Sequence, residues 1–328
     1  MKYTRLGKSG LKVSRIALGC MSFGDPASGH LPWSLSKDEA LPFFRQALEL
    51  GITFWDTANV YSYGDSERIV GEALRQFTSR DEVVLATKAH FSDKPGTGPG
   101  LNVAGLSRRA IMQQIDASLT RLGTDYVDLY QIHRFDPKSP IEETMEALHD
   151  VVKAGKARYI GASAMWTWQF AKMQHAADLH GWTRFVSMQD QYSLLYREEE
   201  REMFGLLADQ GVGSIPYSPL AKGRVARPVG EQTPRSSDDP VGNRFFADTE
   251  RDRPVIDAVQ RTAADRGLPM AQIAMAWVLS NPVVTAPIIG ATKPHHLDDA
   301  AAAVDIELTP EEHTALSEHY TVRAAGGF

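Results

Sequence analysis

Cysteine is almost missing from this chain of 328 residues: Cys20 is the only one. No intrachain disulfide can therefore form, and neither a thiolate metal cage nor a Cys-x-x-Cys redox pair can be built. Long apolar runs are missing as well. No stretch approaches the roughly 18 apolar residues that mark a membrane-crossing helix, and the segment Met1 to Gly10 lacks the apolar core of an export signal. The expected setting is the cytoplasm, with no membrane as partner. Positive charge is not in excess: Lys and Arg number 35 against 41 Asp and Glu, a net charge of -6. A surface that neutralises phosphate backbones carries the opposite balance, so nucleic acid is not an expected partner. His-x-His pairs are also missing, and with them the usual start of a metal-hydrolase site. His295-His296, followed by Asp298 and Asp299, resembles a metal tract only in composition, because carboxylates so placed serve equally to cap a helix. No metal is expected.

Hydrophobic residues make up 43% of the chain and charged residues 23%, the proportions of a globule with a large core. Short β-branched runs alternate with longer segments of helical period, the pattern of repeated strand-helix units around a parallel sheet. Eight candidate strands stand out: Arg15–Gly19, Ile52–Thr57, Val83–Lys88, Tyr126–His133, Ala157–Ser163, Phe185–Gln191, Val212–Ser218 and Thr285–Gly290. Eight is the number that closes a barrel, so one (β/α)8 TIM-barrel domain over residues 1–328 is the expected α/β architecture. Between the strands lie Lys37–Leu50, where Ala40, Phe43, Phe44, Ala47 and Leu48 recur at helical spacing, then Ser66–Phe77, Ser107–Leu122, Ile141–Ala154, Trp168–His180 and Glu199–Gln210. Pro254–Arg266 and Pro269–Ser280 precede the last strand, and Pro310–Tyr320 reads as a tail helix. Three stretches break the rhythm. Tyr3–Ser14, with Gly7-Lys8-Ser9-Gly10 between two extended runs, reads as a hairpin across the barrel floor. His90–Gly105 and Ala221–Thr249 are too long for plain connections, and on a barrel rim such loops cover ligands.

Asp56 and Tyr61 follow the second strand, Lys88 ends the third and His133 ends the fourth. The ends of parallel barrel strands share one rim, so an acid, a phenol, an amine and an imidazole are expected to meet there. Each alone has a structural explanation, as an ion pair, a loop tyrosine, a solvated lysine or a satisfied core histidine. Four such groups on one rim point instead to catalysis. A phenol, with an ordinary pKa of about 10, is protonated at neutral pH but weakly acidic, and an adjacent ammonium lowers that value. Lys88 supplies the charge, and Asp56 the counter-charge that a buried ammonium needs. His133 adds a hydrogen bond to the reacting oxygen. Such a group suits protonating an oxygen as hydride reaches the attached carbon, which is carbonyl reduction with a hydride-donating cofactor. Met21, Trp33, Phe91, Trp166 and Tyr192, with Phe328 from the tail, are candidates for an apolar wall that accepts aromatic or medium-sized carbonyls as the small-molecule partner. Cys20 reads as a small buried residue rather than a nucleophile. No feature sets an oligomeric state.

The segment from Gly51 to Gly71 carries spaced Asp56, Tyr61, Glu67 and Gly71, and the second half carries Tyr217-Ser218-Pro219-Leu220-Ala221-Lys222-Gly223. On these residues the chain resembles the aldo-keto reductase superfamily, from Leu6-Gly7 through Ile289-Gly290-Ala291-Thr292. Within it, Gly155 to Ser163 followed by Met165-Trp166 is similar to bacterial YajO-type and fungal polyketide-pathway members. The resemblance implies Tyr61 as general acid, Lys88 and Asp56 as its tuning pair, and His133 as the group orienting the carbonyl. It also implies NADPH extended over the rim without a Rossmann loop; Gly96-Thr97-Gly98-Pro99-Gly100 has the wrong spacing for one. Ser163 and Gln189 are implied at the carboxamide, Tyr217 on the nicotinamide face, and Ser218, Leu220, Gly223 and Arg224 at the pyrophosphate. Gly19, Cys20, Met21, Asp56 and Gly290 are implied along the cofactor at the strand ends. Thr292, Lys293 and His296 match the adenosine 2′-phosphate site and Asp299 an adenine contact; a lysine there favours NADP(H), because a phosphate dianion needs charge-assisted donors. Two departures stand out. Ala164 follows Ser163 where asparagine is common, and His296 and Ala300 replace a common glutamine and asparagine, so weaker cofactor binding is expected. A regulatory subunit like the potassium-channel β subunits, which share this fold, and a Schiff-base lyase on Lys88 remain open alternatives.

Overall fold

The computed structural model describes residues 1–28, 31–93, 102–231, 246 and 248–326. The glycine string Gly96 to Gly100 and Phe328 lie outside the described residues. An antiparallel pair opens the chain, β1 (Tyr3–Arg5) with β2 (Lys12–Ser14). Eight parallel strands follow: β3 (Ala17–Gly19), β4 (Phe54–Asp56), β5 (Val84–Ala89), β6 (Val127–Ile132), β7 (Ala157–Ser163), β8 (Phe185–Gln189), β9 (Gly213–Ser214) and β10 (Ile288–Gly290). They pair in sequence order from β3 to β9, with β10 beside β3. A bridge between Ser214 and Val284 closes the barrel, the Thr285 N–H donating to the Ser214 carbonyl at 2.7 Å. Every expected strand is present, and two are shortened by proline. Pro216 and Pro287 bring no ladder donor, which leaves β9 as Gly213–Ser214 and β10 as Ile288–Gly290.

Ten helices among the described residues surround the strands: α1 (Lys37–Glu49), α2 (Asp65–Phe77), α3 (Arg108–Leu122), α4 (Ile141–Lys153), α5 (Thr167–His180), α6 (Met203–Gln210), α7 (Thr249–Arg266), α8 (Met270–Ser280), α9 (His295–Ala303) and α10 (Pro310–Ser317). Helix α7 begins at Thr249 rather than Pro254, because the Asp248 side chain caps it by accepting from the Arg251 N–H at 3.0 Å. Periodicity does not announce α9, whose second half is alanine and whose buried residues are only Leu297, Ala300 and Ala303. No helix among the described residues is long and apolar enough to cross a membrane.

The hairpin does close the floor. Leu6 and Val13 join Ala17, Phe54, Ala86, Leu129, Ile215, Ala286 and Ile288 in one buried cluster inside the barrel. Gly7 permits the approach: its φ is +56°, and a Cβ there would lie 2.4 Å from the Gly211 carbonyl oxygen. A second and larger apolar cluster, including Phe44, Trp55, Tyr130 and Trp277, fills the space between sheet and helices. Above the apolar floor the inward residues turn polar, with Asp56, Lys88, Gln131, Ser163, Ser187 and Gln189 all buried. That change of layer positions the site.

Candidate active site

Asp56, Lys88 and Gln131 lie two residues beyond Phe54, Ala86 and Leu129 on the neighbouring strands β4, β5 and β6. Alternation that sends the latter three into the floor sends the former three inward one layer higher. Lys88 Nζ donates to Asp56 Oδ1 at 2.5 Å, to the Thr57 carbonyl at 2.9 Å and to the Tyr61 hydroxyl at 3.1 Å, which occupies all three ammonium protons. Burial pulls the Lys88 pKa down, but the Asp56 charge and the Tyr61 contact outweigh it and the net shift is upward. Lys88 is therefore an ammonium at neutral pH.

Tyr61 starts a short turn after β4 and keeps part of its surface at the rim. Burial raises its phenol, Lys88 works in the opposite direction, and Asp56 adds to the rise, so the net shift is upward. Lys88 thus acts with the expected sign, while desolvation is larger. His133 is lowered well below the ordinary imidazole range by burial, then by the charges of Lys88, His90 and Arg134. Its ring is neutral and stands edge-on to Tyr61, with centroids 5.7 Å apart at 84°. The His133 Nδ1 is buried with no hydrogen-bond partner among the described residues. All four expected residues meet.

The Tyr61 turn is held in a form that L residues resist. Ser62 and Tyr63 have φ of +46° and +54°, left-handed values that cost about 1–2 kcal/mol each. Surrounding contacts impose them. Gly24 leaves room for the Ser62 side chain, since a Cβ at Gly24 would lie 2.1 Å from Ser62 Oγ. At the start of α2, Ser66 Oγ donates to the Cys20 carbonyl at 2.8 Å, and buried Glu67 accepts from Thr87 Oγ1 and Arg121 Nε at 2.6 Å each.

Asp56 Oδ2 accepts from Gln131 Nε2 at 2.8 Å and from Gln189 Nε2 at 3.1 Å, and Gln189 Nε2 also reaches Gln131 Oε1 at 3.1 Å. Ser163, paired across from Gln189, donates its hydroxyl to the Gln189 carbonyl at 2.9 Å. Further along the rim, Tyr217 is partly exposed and its N–H donates to the Asp190 carbonyl at 2.8 Å. Ser218, Ala221 and Lys222 have φ of +54°, +48° and +56°, leading through Leu220 and Gly223 to Arg224, whose guanidinium lies 6.0 Å from the Phe246 ring. Turned backbone of this kind can gather N–H groups around anionic oxygens. Past Gly290, the Thr292 N–H donates to His296 Nδ1 at 3.3 Å. Burial, then the neighbouring His295, Lys293 and Arg227, hold His296 down at about 4. Asp299 accepts from Gln272 Nε2 at 2.8 Å.

The Aldo/keto reductase family profile matches residues 15–321. The chain belongs to the aldo/keto reductase family. It is similar to an aldo-keto reductase of Fusarium vanettenii, 45% identical over 346 residues that cover 99% of this chain and 92% of the relative. Versiconal hemiacetal acetate reductase of Aspergillus parasiticus is 45% identical over 341 residues, covering 99% and 98%. A Schizosaccharomyces pombe protein, provisionally named an aryl-alcohol dehydrogenase, is 40% identical over 342 residues, covering 97% and 95%. The family resemblance and the barrel read from the sequence are both borne out.

On the aldo/keto reductase scaffold the expected wall residues divide. Phe91 stands edge-on to His133 with centroids 5.2 Å apart, and Trp166 is 44% exposed beyond β7. Met21 and Trp33 are partly exposed, whereas Gly19 and Cys20 are buried at the end of β3 and just beyond it. Tyr192 is a correction: it is 1% exposed, its ring packs on Trp277 and Phe204 at 5.3 and 4.8 Å, and its hydroxyl donates to Glu200. That places it in the layer outside the sheet. Two residues pass unnoticed in motif reading. Gln131 grips Asp56, and His90 has φ +150°, a buried Nδ1 without a partner among the described residues, and a ring edge-on to Phe91 at 4.6 Å. A cavity of 390 Å³ opens elsewhere, at the strand starts, beside Arg15 and Ser280. The Arg15 guanidinium there donates to the carbonyls of Leu279, Val284 and Thr285, a structural role remote from the chemistry.

Proposed function

We propose that the chain reduces an aldehyde or ketone to an alcohol, with NADPH as hydride donor and Tyr61 as proton donor. The observation that carries this reading is the buried line from Asp56 through Lys88 to the Tyr61 hydroxyl, with contacts of 2.5 and 3.1 Å. Bound NADPH supplies the hydride. As the new C–H bond forms at the carbonyl carbon, the π pair moves onto oxygen, and that oxygen takes the Tyr61 proton. Lys88 stabilises the phenolate left behind, and Asp56 keeps Lys88 aimed at it. The phenol then recovers its proton from solvent. A raised phenol is the correct resting form, since the reaction starts from protonated Tyr61. Neutral His133 can donate one ring N–H to the same oxygen without placing a second full charge beside Lys88.

Residues of the rim fit the cofactor. Ser163 Oγ and Gln189 Oε1 would hold the carboxamide, Tyr217 the nicotinamide face, and the segment Ser218 to Arg224 the pyrophosphate. Lys293 and His296 would hold the 2′-phosphate; burial is the larger cause of the low His296 value, and the Lys293 and Arg227 charges that add to it suit an anion placed among them. Phe91 and Trp166 favour aromatic or medium-sized carbonyls, and the names of the Aspergillus and Schizosaccharomyces relatives point the same way. The test is NADPH oxidation with 4-nitrobenzaldehyde by wild type and Tyr61→Phe. A fall in kcat of about 10²–10⁴-fold is expected; equal rates would remove Tyr61 from the mechanism.

A further inference from the structure

As partner of the Lys88 ammonium, the Asp56 carboxylate offers only acceptors. Gln131 and Gln189 must both turn their NH2 groups toward Oδ2, as they do at 2.8 and 3.1 Å. The other Gln189 proton goes to Gln131 Oε1 at 3.1 Å. Reversing Gln131 would set its carbonyl against the carboxylate and its NH2 against that of Gln189. Reversing Gln189 would set two pairs of acceptors against each other. The two ends of an amide are alike in shape, so the charge on Asp56 decides the sense of both side chains. Both bonds use Gln189 Nε2, which leaves Gln189 Oε1 as the end of that amide turned away from Asp56 and Gln131. Ser163 has committed its proton to the Gln189 carbonyl and can only accept as well. Ala164, the next residue, adds no donor.

We propose that Gln131 is a positioning residue that passes the polarity of Asp56 to the nicotinamide seat. Together with the direct Asp56 contact it holds Gln189 as an acceptor, so the site selects a cofactor ring whose C3 substituent carries N–H donors. The inference rests on the reading of Ser163 and Gln189 as carboxamide contacts. A carboxamide brings two N–H groups to two acceptors, whereas an acetyl group brings none and sets its carbonyl among lone pairs.

The test is binding, measured by quenching of intrinsic fluorescence on the full chain, for wild type and Gln131→Met, a change that keeps length and removes both polar atoms. Three probes are titrated: NADP+, its 3-acetylpyridine analogue, and adenosine 2′,5′-bisphosphate, which has no ring. Wild type should bind NADP+ about tenfold more tightly than the analogue, the size of one or two hydrogen bonds. In Gln131→Met the preference should narrow to about threefold or less, because the Gln189 amide then keeps only its bond to Asp56 and loses the one to Gln131 that helps hold its sense, while the bisphosphate binds both proteins equally. A merely structural role would weaken all three probes together. An unchanged preference in the variant, or none in wild type, overturns the inference, and the wild-type preference decides alone if the variant does not fold. Binding of neither NADP+ nor the bisphosphate to wild type would instead refute the cofactor reading beneath it.

Discussion

Replacing Glu199 with glutamine should give a protein that loses less stability than wild type as pH rises from 5 to 8.5. Glu199 lies in the turn Glu198–Glu200 after β8 and is 6% exposed, and Asp190, just past the end of β8, is 2% exposed. Neither Asp190 oxygen has a hydrogen-bond partner among the described residues; the Ser214 hydroxyl is near enough only to offset part of the shift. Burial and the Glu199 charge push Asp190 well up, and burial with the Glu198 charge pushes Glu199 from 4.5 to about 7. Glu198 moves the other way: burial raises it, but bonds from Tyr320, the Arg323 N–H and Arg201 outweigh burial and lower it. The folded chain therefore holds a proton on the Asp190–Glu199 pair that the unfolded chain gives up. With the native value raised, this stabilisation is complete below the unfolded value and is lost as pH climbs through about 7. A displacement from 4.5 to about 7 is worth about 3 kcal/mol, or about 5 °C in a chain of this size. Calorimetric melting from pH 5 to 8.5 should show wild type losing about 4 °C more than Glu199→Gln across that range, since part of the loss falls below pH 5. A buried amide lacking partners lowers stability at every pH by a similar amount, so it offsets the curve without changing its slope. Parallel curves for the two proteins would refute the reasoning.

Lys88→Met strands the Asp56 carboxylate in the barrel and should destabilise by about 3–5 kcal/mol in urea denaturation. Adding Asp56→Asn should recover much of that loss, and strictly additive losses would contradict the ion pair. Ala164, at φ +46°, sits in a conformation that costs an L residue about 1–2 kcal/mol. Ala164→Gly should therefore raise stability by about 0.5–1 kcal/mol after the entropy of glycine is subtracted, and a lower melting temperature would show that the backbone there is relaxed.

Strand parity accounts for what the sequence discloses about this barrel and for much of what motif reading passes over. Counting in twos from Phe54 reaches Asp56, from Ala86 reaches Lys88, and from Leu129 reaches Gln131 and then His133. The same count therefore finds three of the four rim residues and also Gln131, which motif spacing does not mark because a lone glutamine has no signature. Counting outward from inward-facing Gln189 puts Asp190 and Tyr192 on the helix side, where they are found. Aromatic character alone suggested the opposite for Tyr192. Tyr61 lies beyond this count because it sits past β4 in a turn, and its placement depends on Gly24, Ser66 and Glu67 folding that turn back over Lys88. The phenol pKa lies further out of reach. Sequence names the charges that act on it, but desolvation sums over every atom packed around the hydroxyl, and here that sum exceeds the effect of Lys88. The sign of the shift is thus a property of the barrel. A proton donor kept protonated by enclosure, with an ammonium already hydrogen-bonded to it, gains stabilisation from Lys88 only as it ionises, which is when the proton leaves.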